Sequence, residues 1–437
     1  MKPSEPSLCA FVLRRSPPEP DVVASSTSVK PQFTLVELGP IAPIEEAVRE
    51  WREALGAVPE RGQAVRPDLA SVVTRSGQVL RALVLDPLLG AIGEAERLIV
   101  VLDDVLQLVP FDALPMPANG GGAEVFAGER WRIDTRRTCT ELLAAPPAPM
   151  DGALVALGGA AFNSAPVELS VEDLATVEEA HTAPATVASI LRGGAWEPGF
   201  APLTYTGLEA REVAALHDEV AGEQARSLVL EKRKASRAAL EELAPHARWL
   251  HVATHGWFAP ESIRSWSDPE PLDKLSGLGL RQSGEEQVKG MSPMLLCGLA
   301  LAGANLPENA IGRAPGLITA QEIAALDLTH CELAVLSACD TNVGVRERRA
   351  GQGVASLQMA LQMAGARSVI TSLWKVPDEA TKELMLDFYR RLWVEKKPKW
   401  QALKEAKRKL RDAKDEHGDP KYTLRDWAAW VLTGEPD

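Results

Sequence analysis

Apolar and polar positions follow two rhythms along this chain, and after about residue 150 the two alternate in regular succession. Near the N-terminus, Cys9-Ala10-Phe11-Val12-Leu13 and Gln32 to Leu38 read as two strands of a hairpin with a long loop between them. Ile44 to Leu55 and Leu80 to Ile92 carry apolar residues at helical spacing. Arg97 to Asp103 is a short continuous apolar run and predicts a buried strand. Asn119 to Gly122 is a loop, and Ala145-Pro146-Pro147-Ala148-Pro149 is a stiff linker that cannot continue a helix. Beyond it, strands are expected at Ala153 to Leu157, Ser227 to Leu230, Trp249 to His255, Leu296 to Ala302, Leu333 to Cys339 and Ser368 to Trp374. Helices are expected near Leu208 to Glu219, Ala235 to Leu243, Ala320 to Leu326 and Gly353 to Ala364, with two more closing the chain. Such alternation implies an α/β fold, a parallel or mixed sheet covered by helices. No self-similar period points to a repeat solenoid.

Two of these strands end on reactive side chains followed by turn-permissive residues. One delivers His255, followed by Gly256, and the other delivers Cys339, followed by Asp340 and Thr341. Open parallel sheets place their sites in the crevice beyond the carboxyl ends of the strands. A thiol and an imidazole brought to one such edge are the minimum apparatus of a cysteine protease. Small residues, Ser337 and Ala338, precede Cys339 and leave its sulfur open, whereas Cys297 and Cys331 lie in or beside apolar runs and belong to the core. Glycine after His255 lets backbone N–H groups approach a reacting carbonyl, so the amides of Gly256 and Cys339 are the oxyanion-hole candidates. His251, four residues earlier on the same strand, is assigned to packing or hydrogen bonding. A zinc site of the helical kind would need a Glu where Val252 stands. No metal and no cofactor are expected.

Composition narrows the partners. A chain of 437 residues is too long for one ordinary core and implies two domains. An apolar share of 46% with 24% charged residues is that of a globular protein. The net charge of −13 argues against sequence-independent binding of nucleic acid. No apolar stretch is long enough to cross a membrane, and no signal-peptide pattern follows Lys2. Five scattered cysteines suit reduced thiols in a cytoplasmic protein.

His251-Val252-Ala253-Thr254-His255-Gly256 and Leu336-Ser337-Ala338-Cys339-Asp340-Thr341 resemble the two signature segments of the CHAT family, caspase-like proteases of the clan that contains separase. The resemblance continues through Gly351-Gln352-Gly353, Ser372 to Asp378 and Trp427 to Leu432, and Val109 to Leu114 looks like the family's upstream half. It implies a caspase-like sheet covered by helices, in tandem halves: residues 1–145 as a pseudo-caspase-like half and 146–437 as the active protease. It also implies endopeptidase cleavage of a protein substrate, with Cys339 attacking and His255 activating it and protonating the leaving amine. Many CHAT proteins carry tetratricopeptide repeats ahead of the protease, and this chain does not. A separate sensor or activator protein, in a bacterial defence setting, is therefore expected. The competing reading is a catalytically silent caspase-fold scaffold that docks partners.

Asp378 and Asp340 are the candidates for an acidic substrate pocket that would select a basic residue before the cut. Asp378 can equally start the helix that follows it. Ala259 to Met291, rich in Ser, Gly, Pro and charge, reads as a solvated insertion or as a gate beside the site. The basic segment Lys397 to Lys414 is read as a solvated face balanced by Glu405, Asp412 and Asp415.

Overall fold

A computed structural model describes the chain except for residues 1–5, 16–30, 57–68, 118–124, 144–151, 170–198, 223–226, 259–262, 266–287, 308–314 and 338–356. The nucleophile candidate Cys339, its neighbour Asp340, the Ala145–Pro149 linker, the Asn119–Gly122 loop and most of Ala259–Met291 therefore lie outside the described residues. The chain divides into two compact units, one of residues 1–100 with 108–133, the other of 101–107 with 134–437.

In the smaller unit, β1 (Ser7–Arg15) and β2 (Pro31–Pro40) form the expected antiparallel hairpin. Helix α1 (Ile41–Gly56) buries Ile44, Val48, Trp51 and Leu55, an i, i+4, i+7, i+11 stripe. The second helix departs from its expected span. It runs as α2 (Leu69–Val84) and stops before Pro87, after which only short turns reach Ile92. Pro87 cannot donate a helical N–H, which breaks the periodic run in the middle. Strand β3 (Arg97–Val101) forms as expected but is not buried, since Ile99 and Val101 are 41% and 42% exposed. A five-residue apolar run does not reveal whether one face or two are covered.

The larger unit is built on a mostly parallel sheet. Its strands are β5 (Ala153–Ala160), β6 (Leu228–Lys232), β7 (Ala247–Ala253), β11 (Leu333–Ser337), β12 (Ser368–Ser372) and β13 (Trp430–Gly434). Their spatial order is β13-β12-β11-β7-β5-β6. All neighbours are parallel except β12 with β13. Every residue of β11 and β12 is buried, as strands covered on both faces require. Thr135, in the strand β4 (Arg132–Arg136), pairs in parallel with Thr433 of β13.

The covering helices include α3 (Thr206–Ala221), α4 (Arg237–Leu243), α6 (Asp378–Tyr389) and α7 (Lys399–Asp412). Ser236 caps α4 by accepting the Ala239 N–H at 3.1 Å. The short helix α8 (Leu424–Ala428) leads into β13, which the sequence reading did not anticipate. Trp427 to Leu432 is a short apolar run whose periodicity fits helix and strand alike.

A second, three-stranded antiparallel sheet joins β8 (His255–Phe258), β9 (Cys297–Ala300) and β10 (Leu317–Thr319), the last running into helix α5 (Ala320–Ile323). His255 is thus not the last residue of the central strand. Strand β7 stops at Ala253, and His255 opens β8 in the smaller sheet. Thr254 makes the break, its hydroxyl hydrogen-bonded to the Ala300 carbonyl across that sheet.

Helix α7 is less solvated than its charge pattern predicts. Lys399 and Lys407 are buried, and Lys407 Nζ donates to the Trp430 carbonyl at 3.0 Å. Long stems buried with the ammonium on a carbonyl account for this. Lys397 and Arg391 both pair with Glu405, as the balanced-charge reading expects. Among the described residues no helix is long and apolar enough to cross a membrane.

Candidate active site

The register of β7 against β11 sets the site. Trp249 lies opposite Leu333 and Ala253 opposite Ser337, so the two carboxyl ends are level. From them the chain continues to His255 on one side and, two residues past Ser337, to Cys339 on the other. Neighbouring parallel strands with level ends are what the thiol–imidazole reading requires of the scaffold.

His255 is held on several sides. It is 3% exposed, and Phe162 and Phe200 stand against its ring with centroids at 5.2 and 5.6 Å. Its Nε2 lies 2.7 Å from the Ala201 carbonyl. A carbonyl only accepts, so Nε2–H donates and Nδ1 is the basic nitrogen of the neutral ring. The Ala201 carbonyl is itself positioned. Asn305 clamps the preceding residue, accepting the Phe200 N–H at 2.8 Å and donating to the Phe200 carbonyl at 2.9 Å. Gly199, at φ +84°, brings the chain into this clamp, where an added Cβ would meet the Asn305 amide at 2.9 Å.

A pocket beside His255 is lined by Glu209 and Thr206 of α3, Ser337 of β11, Ser372, Lys375 and Asp378. Asp378 is half-buried and opens α6, whose N-cap is Pro377. It therefore does not cap the helix, and it reaches the pocket from the first turn. Gly256 follows His255 in β8, opposite Leu299.

Behind the pocket lies a buried polar chain. His251 is fully buried, as expected of a packed histidine, with Nδ1 3.1 Å from the Tyr389 hydroxyl and Nε2 3.1 Å from Glu209 Oε1. Ser337 Oγ donates to Glu209 Oε2 at 3.4 Å. Burial, reinforced by the nearby Glu209 charge, pushes the Tyr389 hydroxyl well above its usual range, so it keeps its proton. Cys331 is wholly buried and its thiol is pushed up to about 12 by that burial, which suits the core role assigned to it. Cys297 is buried as well.

Sequence reasoning missed Glu209, Phe200, Ala201 and Asn305. Glu209 alone left a trace, an acidic residue on the apolar side of a helical pattern. A backbone carbonyl that orients an imidazole leaves none.

These features define an α/β protein whose mostly parallel sheet is compatible with a caspase-like fold and whose crevice holds an oriented imidazole. Residues 74–435 match the family model of the CHAT domain, so the chain belongs to the CHAT family of caspase-like cysteine peptidases. A search of curated proteins found no match.

Proposed function

We propose that this CHAT protein is a cysteine endopeptidase acting through His255 and Cys339. The observation that carries the reading is the Nε2–H bond of His255 to Ala201, which leaves Nδ1 as the base in the crevice that Ser337 borders. In this reading Nδ1 takes the Cys339 thiol proton and the thiolate attacks the scissile carbonyl. The N–H groups of Gly256 and Cys339 receive the oxyanion. The proton then passes to the leaving amine, and water hydrolyses the thioester. Asp378 and Asp340 are the acidic pocket residues that would favour a basic side chain before the cut.

Residues 1–145 serve as a pseudo-caspase-like half, and a separate sensor or activator protein releases activity in the cytoplasm, in a bacterial defence pathway. The support for these parts is the habit of the family the chain belongs to.

The test mixes the chain with the products of its neighbouring genes and maps new N-termini by mass spectrometry. Cuts should appear with the wild type and vanish with Cys339→Ala and with His255→Ala, both folded. Cutting by Cys339→Ala at the wild-type rate refutes the chemistry. A scaffold predicts no cuts by any of them. High turnover of short peptides by the chain alone refutes the activator.

A further inference from the structure

The hairpin of the smaller unit turns an apolar face outward. Along β1 and β2 the alternate residues Cys9, Phe11, Leu13, Phe33, Leu35 and Glu37 lie on one side of the ladder, and all six are exposed. The positions between them, Val12 and Val36 included, are half-buried, so the hairpin rests on its unit by the other face. Phe11 is 65% exposed, Leu13 69%, Phe33 61% and Leu35 53%. With roughly 200 Å² for a whole Phe side chain and a little less for Leu, the four expose about 450 Å² of apolar surface. Patches of about 300–600 Å² are the largest that monomers carry, and they are commonly interaction sites. A stable dimer buries about 800 Å² per partner, about two-thirds of it apolar in the core, or roughly 500 Å². The hairpin face is the size of one such core.

Its pattern is also self-complementary. Phe11 stands opposite Leu35, and Leu13 opposite Phe33. The two rings occupy one diagonal of this square, stacked with centroids 5.6 Å apart, and the two leucines occupy the other. A two-fold axis in the contact plane, along or across the strands, exchanges the diagonals. Each ring of one copy then stands over a leucine of the other, large against small, as interdigitating layers require. An axis along the strands would bring the Glu37 side chains of both copies to the same end. An axis across the strands sends them to opposite ends.

We propose that this face is a homodimer interface, in which two copies of the chain pack hairpin on hairpin about a two-fold axis across the strands. Leu13 then lies on Phe11 of the partner subunit, and Leu35 on Phe33 of the partner subunit. Another protein could cover the same area, but the match of the diagonals under a two-fold operation is a property that only a second copy uses. The inference is independent of the peptidase reading.

Sedimentation velocity of the full chain at about 20 µM should show a dimer. Phe11→Glu and Leu13→Lys should each raise the dissociation constant at least about tenfold, since either homodimer would bury two unpaired charges. Mixed in equal amounts, the two variants should form a heterodimer, because the introduced charges then face each other and the remaining contacts are native. Circular dichroism checks that each variant is folded. Hydroxyl-radical footprinting of the wild type needs no variant, and oxidation of Phe11 and Phe33 should fall severalfold from dilute to concentrated protein. A dimer untouched by either variant, folded variants that stay apart on mixing, or footprints equal at both concentrations overturns the inference. So does a monomeric wild type, which leaves the face to a different protein.

Discussion

Gly298→Ala tests whether the small sheet is what positions His255. Gly298 is buried in β9, opposite Trp257 on one side and Thr319 on the other. A Cβ at this position would stand 2.0 Å from the Ile318 carbonyl oxygen and 2.8 Å from the Trp257 ring. Real Cβ atoms essentially never approach closer than 3.0 Å, so β9 and β10 must separate by about 1 Å. The obstacle is backbone, which cannot rotate away as a flexible side chain could. The cost should be about 3 kcal/mol, the upper end of ordinary over-packing. Ala300, two residues along β9, pairs with His255, so the shift is transmitted to the imidazole. A displacement of that size would open the 2.7 Å bond to Ala201 beyond hydrogen-bonding range. Urea unfolding followed by tryptophan fluorescence should show the lost stability, and NMR of the imidazole protons should show the changed environment. An unfolding midpoint equal to the wild type, with unshifted His255 resonances, refutes the reasoning.

The remaining predictions concern the core behind the pocket. Tyr389→Phe keeps the ring stacked on Trp393, with centroids 4.3 Å apart, but removes the hydroxyl beside His251. It should lower the urea stability by about 1–2 kcal/mol, and an unchanged midpoint would show that this contact is energetically empty. The Cys331 thiol, raised from 9.0 to about 12 by burial, makes stability depend on alkaline pH. Between those values the unfolded chain has lost a proton that the folded chain keeps. This contribution is therefore fully present below pH 9 and is lost as pH rises toward 12. Cys331→Ala should flatten that part of the stability–pH curve, and identical slopes for variant and wild type would exclude the thiol as its source.

Most strands of the larger unit were legible because continuous β-branched runs bounded by turn residues are what a doubly covered sheet demands. The β7–β11 adjacency was expected from setting both reactive residues at one sheet edge, and the two strands do pair in parallel with level ends, although β7 stops at Ala253 and His255 opens β8. Other features were hidden for definable reasons. The break at Thr254 depends on a hydroxyl reaching the Ala300 carbonyl, a contact 46 residues away in sequence that no local pattern encodes. Strand β13 was hidden because Trp430-Val431-Leu432 follows a helical turn and is too short to display a period. The burial of Lys399 and Lys407 runs against composition, and tertiary carbonyls decide it.

The same contrast separates the parts of the site that can be read from a sequence from those that need a fold. A base announces itself by residue type, because only a few side chains exchange protons near neutral pH. The groups that decide which nitrogen is the base need no particular type: at His255 it is the carbonyl of an alanine, set in place by the amide of Asn305 104 positions further on (305 − 201). Charge in the pocket behaves likewise. Asp378 stands in a segment that resembles the family's own, whereas Glu209 sits in an unremarkable helix and meets His251 and Ser337 only because α3 packs its first turn over them. A variant at Ala201 would leave that carbonyl in place, so the orientation of His255 is open to disruption chiefly through Asn305, Gly199 and the flanking phenyl rings. Asn305→Ala should therefore reduce turnover more than any substitution at Ala201 that the backbone tolerates, and a pH–rate profile for the two variants would expose an Ala201 side-chain role if the order were reversed.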